Sequence, residues 1–178
     1  MKLLPLTALV ALLAVTGCAS SREPAELPAL VDAVSPAPGV VSAGRLEPAD
    51  IGRVRAAGIR HVIDLTPDAE TPDFDEATAV RAAGLAYSNL PLRGPVDLTR
   101  ENALAFDALV RDAKRPVLVH CASGNRVGAM AALRAAWVEG HQLEEAVLIG
   151  KAWGLKGLEG EVRRRIGSDG VRRGSNGG

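Results

Sequence analysis

The feature that most constrains the fold is a regular alternation of short apolar runs and helical patterns from residue 39 onward. The most apolar run, residues 116–120 (PVLVH), is typical of a strand that is covered on both faces. Such an alternation predicts an α/β fold with a mostly parallel, four- to five-stranded sheet and helices on both sides. The predicted strands lie at 40–44, 60–65, 86–91 and 116–120, and the predicted helices at 48–57, 74–83, 99–113, 126–139, 143–153 and 157–166.

The first 18 residues (MKLLPLTALVALLAVTGC) carry one Lys and then an apolar stretch too short to span a bilayer comfortably. This layout is typical of a secretory signal. Its end, VTGC, resembles a bacterial lipobox, in which the Cys is lipidated and becomes the first mature residue. The resemblance implies lipid attachment at Cys18. Because Ala19 and Ser20 follow, rather than Asp, it also implies the outer membrane, with the protein facing the periplasm. The mature protein would then be tethered to the membrane through its N-terminal lipid and otherwise soluble.

The remaining boundaries follow from composition. Residues 19–38 are rich in Ala, Ser and Pro and are expected to be a flexible linker. Residues 39–166 carry the alternating pattern and form the expected domain, and residues 167–178 are expected to be a disordered tail. With 21 basic and 21 acidic residues the net charge is zero, so nothing predicts a nucleic-acid partner.

The chain has two cysteines, Cys18 and Cys121. If Cys18 is acylated, Cys121 has no disulfide partner in an oxidising compartment. A lone thiol there is exposed to oxidation, which favours a chemical role for Cys121. The alternative is that Cys121 serves as a small buried hydrophobic residue.

Cys121 begins a short loop that ends at Arg126, at the expected carboxyl edge of the sheet, where ligands bind in this architecture. Small residues let the backbone curl so that successive N–H groups point inward and form an anion nest. The helix that begins near Arg126 adds its positive end, and the guanidinium suits a tetrahedral oxyanion. The same fields favour a thiolate at Cys121, which is then a nucleophile beside the bound anion. The expected anion-binding residues are Ala122, Ser123, Gly124, Asn125 and Arg126.

The segment HCASGNR resembles the signature loop of cysteine-dependent phosphatases of the tyrosine and dual-specificity type. The upstream segment GIRHVIDLTPDAE…AAGLAYSNLPL is similar to the sequence pattern of that fold. It most resembles a small bacterial group that is also found fused to beta-lactamase-like hydrolases. The resemblance implies that Cys121 attacks phosphorus to form a cysteinyl-phosphate while Arg126 binds the equatorial oxygens. It further implies that His120 orients the loop, that the substrate is a phosphoprotein or small phosphate ester, and that no metal or organic cofactor is needed.

Two departures from the phosphatase pattern keep other functions open. Four residues separate Cys121 from Arg126, where most such phosphatases have five, and four is the usual count in rhodanese-type sulfurtransferases, whose Cys carries a persulfide. The Gly-His-x-x-Gly-Ala segment usual in rhodaneses is absent, which favours the phosphatase. Val127 replaces the Ser or Thr whose hydroxyl helps the thiolate to depart, so turnover is expected to be slow unless Ser123 substitutes. A weakly catalytic phosphate-binding module in the envelope is the second alternative.

A general acid must protonate the leaving group. In dual-specificity enzymes it is an Asp on the loop after the Leu-Pro strand, and Asp97 lies on the matching loop. Asp97 is equally well placed to cap the helix that begins near Thr99. Asp68 and Glu70 lie on another loop at the same edge, where they could line the pocket, but acids on such loops are more commonly solvated, which is the expectation for both.

Overall fold

The structure, a computed structural model, describes residues 29–175. The predicted signal peptide, Cys18 and residues 19–28 of the predicted linker lie outside the described residues, as do residues 176–178.

Five strands form one sheet in the order β1-β2-β5-β3-β4. β1 pairs antiparallel with β2, and the other three pairings are parallel. This architecture confirms the predicted four- to five-stranded, mostly parallel α/β sheet. It also places β5, the most apolar run of the sequence, in the middle. The strands are β1 (Val34–Ala37), β2 (Val40–Ala43), β3 (His61–Asp64), β4 (Ala86–Asn89) and β5 (Val117–His120).

β1 lies inside the stretch that was predicted to be linker, so the ordered domain begins before residue 39. Ala37 pairs with Val40, which makes Pro38 and Gly39 the turn of a hairpin, and Gly39 takes the left-handed φ of 69° that such turns require. The Ser and Pro residues of this segment suggested a linker. An edge strand tolerates Pro, however, because one of its sides makes no ladder hydrogen bonds.

Six helices and two short 3-10 turns complete the described fold. The last helix runs from Glu159 to Ser175, into the region predicted to be a disordered tail from residue 167. Glycine in an exposed helix costs only about 1 kcal/mol relative to Ala, so the glycines there do not end the helix. The helices are α1 (Asp50–Ala56), α2 (Glu76–Ala82), α3 (Arg100–Asp112), α4 (Asn125–Trp137), α5 (Leu143–Ala152) and α6 (Glu159–Ser175), and the turns are Asp68–Glu70 and Pro95–Asp97.

The sheet is covered on both faces because alternate residues of its strands point to opposite sides. Val117 and Val119 of β5 pack with α3, α4 and α5, whereas Leu118 packs with α1 and α2. All three side chains are completely buried, as the apolar run predicted. Among the described residues, no helix has the length and apolar content needed to cross a membrane.

Candidate active site

Cys121 follows β5 directly and lies at the carboxyl edge of the parallel strands. Its N–H donates to the carbonyl of Ala43 at the end of β2, at 3.4 Å. The residue is 1% exposed and belongs to the core cluster beneath the loop. The structure therefore places the predicted nucleophile where α/β folds bind ligands.

The loop after Cys121 turns sharply into α4. Gly124 has a left-handed φ of 74° and precedes the first helical residue, Asn125, and its carbonyl accepts from the N–H of Gly128 at 2.9 Å. On the other side, the Ala122 carbonyl accepts from the N–H of Arg45 at 3.2 Å. The loop is thus held between β2 and α4. The N–H groups at the start of α4 have no partner within the helix and can bind an anion.

Arg126 is almost buried, and Glu70 holds its guanidinium. Nη1 and Nη2 lie 2.8 and 2.7 Å from the two carboxylate oxygens of Glu70, and Nη1 also donates to the Leu92 carbonyl. These contacts use three of the five N–H groups of a guanidinium. The Nε–H and the second hydrogen of Nη2 share the opposite edge, which suits two oxygens of a phosphate, and the guanidinium also makes a hydrogen bond with Cys121.

The charge on Arg126 is stabilised by its surroundings. Burial alone would lower the pKa of the guanidinium, but hydrogen bonds to Glu70 and the neighbouring Cys121 raise it overall. Arg126 is therefore a permanent cation beside Cys121. The expectation that Glu70 is solvated was wrong, because the 3-10 turn brings its side chain onto Arg126. That turn is fixed by Arg45, whose Nη1 donates to the Glu70 carbonyl at 2.8 Å.

His120, the last residue of β5, lies among buried acids. Its Nε2 is 2.8 Å from Oε1 of Glu76 and 3.5 Å from Oδ1 of Asp64. Its carbonyl accepts from the N–H of Leu65 at 2.9 Å. These contacts suit the predicted orienting role, which stays a prediction. The ligand atoms of Asp64, Glu76 and His120 all lie within 4.8 Å of one another, the one described group able to hold a metal ion. The expectation that no metal is needed is untested.

The side chain of Asn125 faces away from the anion nest. Its Oδ1 accepts from the N–H groups of Lys156 and Leu158, at 2.8 and 3.3 Å, in the loop between α5 and α6. Lys156 also donates from Nζ to the Ser123 carbonyl at 3.3 Å. The predicted contribution of Asn125 to anion binding therefore falls to its backbone N–H. No pattern in the sequence indicated that the α5–α6 loop would contact the loop after Cys121.

Asp97 ends the second 3-10 turn and is paired with Arg93. Its carboxylate accepts from the Arg93 N–H at 2.7 Å and from the Arg93 side chain at 3.2 and 3.1 Å. The side-chain hydrogen bonds, and then the backbone one, hold the pKa of Asp97 below its usual value of 3.8. The side chain that caps α3 is that of Thr99, which accepts from the Asn102 N–H at 3.2 Å. The capping role considered for the Asp97 side chain was wrong. Its role as general acid remains a prediction, although the low pKa works against it.

A central strand followed directly by a cysteine, a sharp loop into the next helix and a buried arginine on that helix define a class, the phosphatase-like α/β domains. The chain matches the family described as "Beta-lactamase hydrolase-like protein, phosphatase-like domain" over residues 32–138, more than half of its length. It therefore belongs to that family, as the sequence predicted.

The relatives agree with this assignment. The beta-lactamase hydrolase-like protein of Agrobacterium fabrum is 34% identical over 88 residues, which cover 47% of this chain and 20% of that protein. The chain thus spans about a fifth of the length of the curated relatives it matches.

Solved structures show the same fold. A Neisseria meningitidis protein superposes with a TM-score of 0.63 at 24% identity, covering 75% of this chain and 94% of its own. Pseudomonas aeruginosa TpbA, solved in complex with pTyr, has a TM-score of 0.55 at 18% identity, covering 89% and 100%.

Proposed function

We propose that this protein is a cysteine-dependent phosphatase that hydrolyses phosphate monoesters. The observation that carries the proposal is that three groups suited to binding an anion lie together. Cys121, the start of α4 and the guanidinium of Arg126 all meet at the loop 121–126. Membership of a phosphatase-like family supports the proposal independently.

In the proposed reaction the Cys121 thiolate attacks phosphorus, an S–P bond forms and the P–O ester bond breaks. The leaving oxygen takes a proton from a general acid, for which Asp97 remains the candidate. Water then attacks the cysteinyl-phosphate, the S–P bond breaks, and inorganic phosphate leaves as the thiolate is restored. Arg126 and the loop N–H groups stabilise the charge on the equatorial oxygens in both steps.

Phosphotyrosine is the first substrate class to test, because the structural neighbour TpbA was solved with pTyr. Other phosphate monoesters have the same reacting group. The natural substrate therefore has to be chosen by comparing kcat/KM values for phosphotyrosine peptides, phosphoserine peptides and small sugar phosphates.

A second candidate, a weakly catalytic phosphate-binding module, is favoured by two observations. Val127 is completely buried and offers no hydroxyl beside the nucleophile. Asp97 is tied to Arg93 and holds its proton poorly. Both features slow turnover without weakening the anion site. The sulfurtransferase alternative keeps only the length of the loop in its favour.

We further propose that the protein works in the cell envelope, anchored to the outer membrane by a lipid on Cys18. The proposal rests on the lipobox-like VTGC sequence. Metabolic labelling with radioactive palmitate should mark the full chain but not Cys18→Ser, and the labelled protein should fractionate with outer membranes. Equal labelling of both proteins would exclude this anchor.

The test of catalysis uses the full chain carrying Cys18→Ser in detergent, so that Cys121 is the only cysteine. This protein should hydrolyse p-nitrophenyl phosphate, and adding Cys121→Ser should abolish hydrolysis while tungstate, a tetrahedral oxyanion, still binds. Tungstate binding without hydrolysis would identify a binding module. Thiocyanate formed from thiosulfate and cyanide, without phosphatase activity, would identify a sulfurtransferase.

A further inference from the structure

The imidazole of His120 has its hydrogen-bond partner on one edge only. Nε2 faces Glu76 at 2.8 Å, whereas Nδ1 is buried and has no hydrogen-bond partner among the described residues. The residue is 1% exposed, so water does not compete for the ring. The contact with Glu76 is therefore what sets the orientation of this ring.

Of the two acids beside His120, Glu76 is the principal partner. The oxygens of Asp64 already accept from the Thr66 N–H at 2.7 Å and from the Tyr87 hydroxyl at 2.9 Å. Burial, and then the charge of Asp64, raise the pKa of the Tyr87 hydroxyl above its usual range, so the hydroxyl keeps the proton that it donates. Asp64 thus has other donors, and its distance to His120 Nε2 is the longer one, 3.5 Å.

The ring of His120 is directly linked to the nucleophile. His120 precedes Cys121 in the chain, and its backbone is held by β3 on one side and β2 on the other. Glu76 comes from the first turn of α2, which lies outside the catalytic loop and packs on the opposite face of the sheet from α4. A change in the position of the His120 ring therefore shifts the end of β5, to which Cys121 is joined.

We propose, building on the phosphatase function proposed above, that Glu76 is a positioning residue for the reaction. By accepting the Nε2–H of His120 it fixes the ring and, through the ring, the geometry of the anion loop after Cys121. Its action is that of a buried hydrogen-bond acceptor. A neutral side chain with an acceptor oxygen in the same place should therefore orient His120 equally well.

Two variants separate the acceptor from the carboxylate charge. Glu76→Gln keeps an acceptor oxygen at the same reach, and Glu76→Ala removes it. Small displacements of catalytic groups cost up to about 100-fold in rate, so Glu76→Ala should lower kcat/KM for p-nitrophenyl phosphate by about 10- to 100-fold. Its dissociation constant for tungstate, measured by calorimetry, should rise by about tenfold because the same loop binds that ion. Glu76→Gln should remain within about threefold of the parent protein in both measurements.

Asp75→Asn is the matched control, since Asp75 is the neighbouring acid and its hydrogen bonds are with Thr78, from the N–H at 3.0 Å and from the side chain. It should change neither kcat/KM nor tungstate binding. A merely structural role would overturn the proposal: Glu76→Ala would then melt earlier but keep its kcat and its tungstate affinity well below its melting temperature. Equal losses in Glu76→Gln and Glu76→Ala would also overturn it, because charge would then be the relevant property.

Two further results separate the role of Glu76 from the phosphatase proposal and from metal binding. If the parent protein binds tungstate without hydrolysing phosphate esters, the phosphatase function fails, yet the effect of Glu76→Ala on tungstate affinity still decides the role of Glu76. Glu76 and Asp64 also line a cavity of about 410 Å³. Saturable Zn²⁺ binding that disappears in Glu76→Gln would make the cluster a metal site and overturn the hydrogen-bond assignment.

Discussion

Arg126 and Glu70 form a bidentate pair, with N–O distances of 2.8 and 2.7 Å, although 56 positions separate them in the chain. The pair ties the catalytic loop to the 3-10 turn after β3. It also decides which edge of the guanidinium is left for a phosphate, because Glu70 and the Leu92 carbonyl bind the opposite side. A side chain on a separate loop thus orients the guanidinium of Arg126.

Removal of Glu70 should therefore impair anion binding and catalysis together. Glu70→Ala removes both carboxylate oxygens from the buried guanidinium of Arg126 and leaves the Leu92 carbonyl and Cys121 as partners, so the guanidinium turns toward other acceptors. We expect kcat/KM for p-nitrophenyl phosphate to fall by about 10- to 100-fold, because a misplaced group of this kind costs that much. Steady-state kinetics and tungstate calorimetry measure the two effects.

Asp68→Asn provides the control for this prediction, since Asp68 lies on the same turn but Glu70 is the acid of that turn that contacts Arg126. It should keep the parent kcat/KM. If Glu70→Ala and Asp68→Asn had equal effects, the loss would reflect the acidity of the turn rather than the pairing with Arg126.

Close backbone packing against α4 yields a prediction about stability. A Cβ at Gly128 would lie 2.0 Å from the backbone nitrogen of Leu155 and 2.7 Å from the Gly150 carbonyl oxygen. Backbone atoms cannot move aside as a flexible side chain does. Gly128→Ala should therefore lower the free energy of unfolding by about 1–3 kcal/mol or more. Thermal denaturation followed by circular dichroism measures the change.

Gly52→Ala is the matched control, because a Cβ at Gly52 in α1 meets no atom within 4 Å. Ala restricts the unfolded chain, so this variant should gain about 0.4–1 kcal/mol. A stable Gly128→Ala protein would show that α4 and the α5–α6 loop are not packed as closely as described.

The sequence predicted the features that depend on contiguous residues. The apolar run of β5 identified the central strand, since a strand buried on both faces has to be apolar throughout. The loop from Cys121 to Arg126 could be recognised because all its groups lie within one short segment. β1 escaped prediction because Ser35 and Pro36 are common in linkers, and only the pairing with β2 makes this segment a strand.

The supporting residues of the site could not be predicted in the same way. Glu70 and Glu76 are ordinary carboxylates in the sequence, and nothing nearby marks them as partners of Arg126 and His120. Each contact joins segments more than forty residues apart, so it depends on how the sheet and helices pack. Lys156 is a further example, since its contact with Ser123 requires the α5–α6 loop to fold back onto the catalytic loop.

The ion pair of Asp97 predicts a specific dependence of stability on pH. Arg93 lowers the pKa of Asp97 in the folded protein below 3.8, so the pair stabilises the fold at pH values above the unfolded pKa. That contribution is lost as the pH falls through the folded pKa, where the carboxylate takes up a proton. Asp97→Asn should therefore melt below the parent protein at neutral pH, and the difference should vanish in strong acid, below 3.8.

The same variant tests the general-acid role. If the ion pair is the main function of Asp97, Asp97→Asn keeps the shape of the pH–rate profile for phenyl phosphate. A flattened profile, with loss of the limb that rises toward acid pH, would assign Asp97 as the acid despite its low pKa. Arg93→Gln is the matched control, because it removes the ion-pair partner of Asp97 and leaves the Asp97 carboxyl in place.

Val127 gives the last prediction, on the step that limits turnover. Its side chain is completely buried in the same cluster as Cys121, so no hydroxyl assists the departure of the thiolate from a cysteinyl-phosphate. The parent protein should therefore release a rapid burst of p-nitrophenolate and then turn over slowly.

Val127→Thr introduces a hydroxyl. It should raise the steady-state rate relative to the burst, although burying the hydroxyl costs about 1–3 kcal/mol of stability. Val127→Ala disturbs the same packing without a hydroxyl and should keep the slow phase. A steady-state rate that rises equally in both variants would assign the effect to looser packing instead.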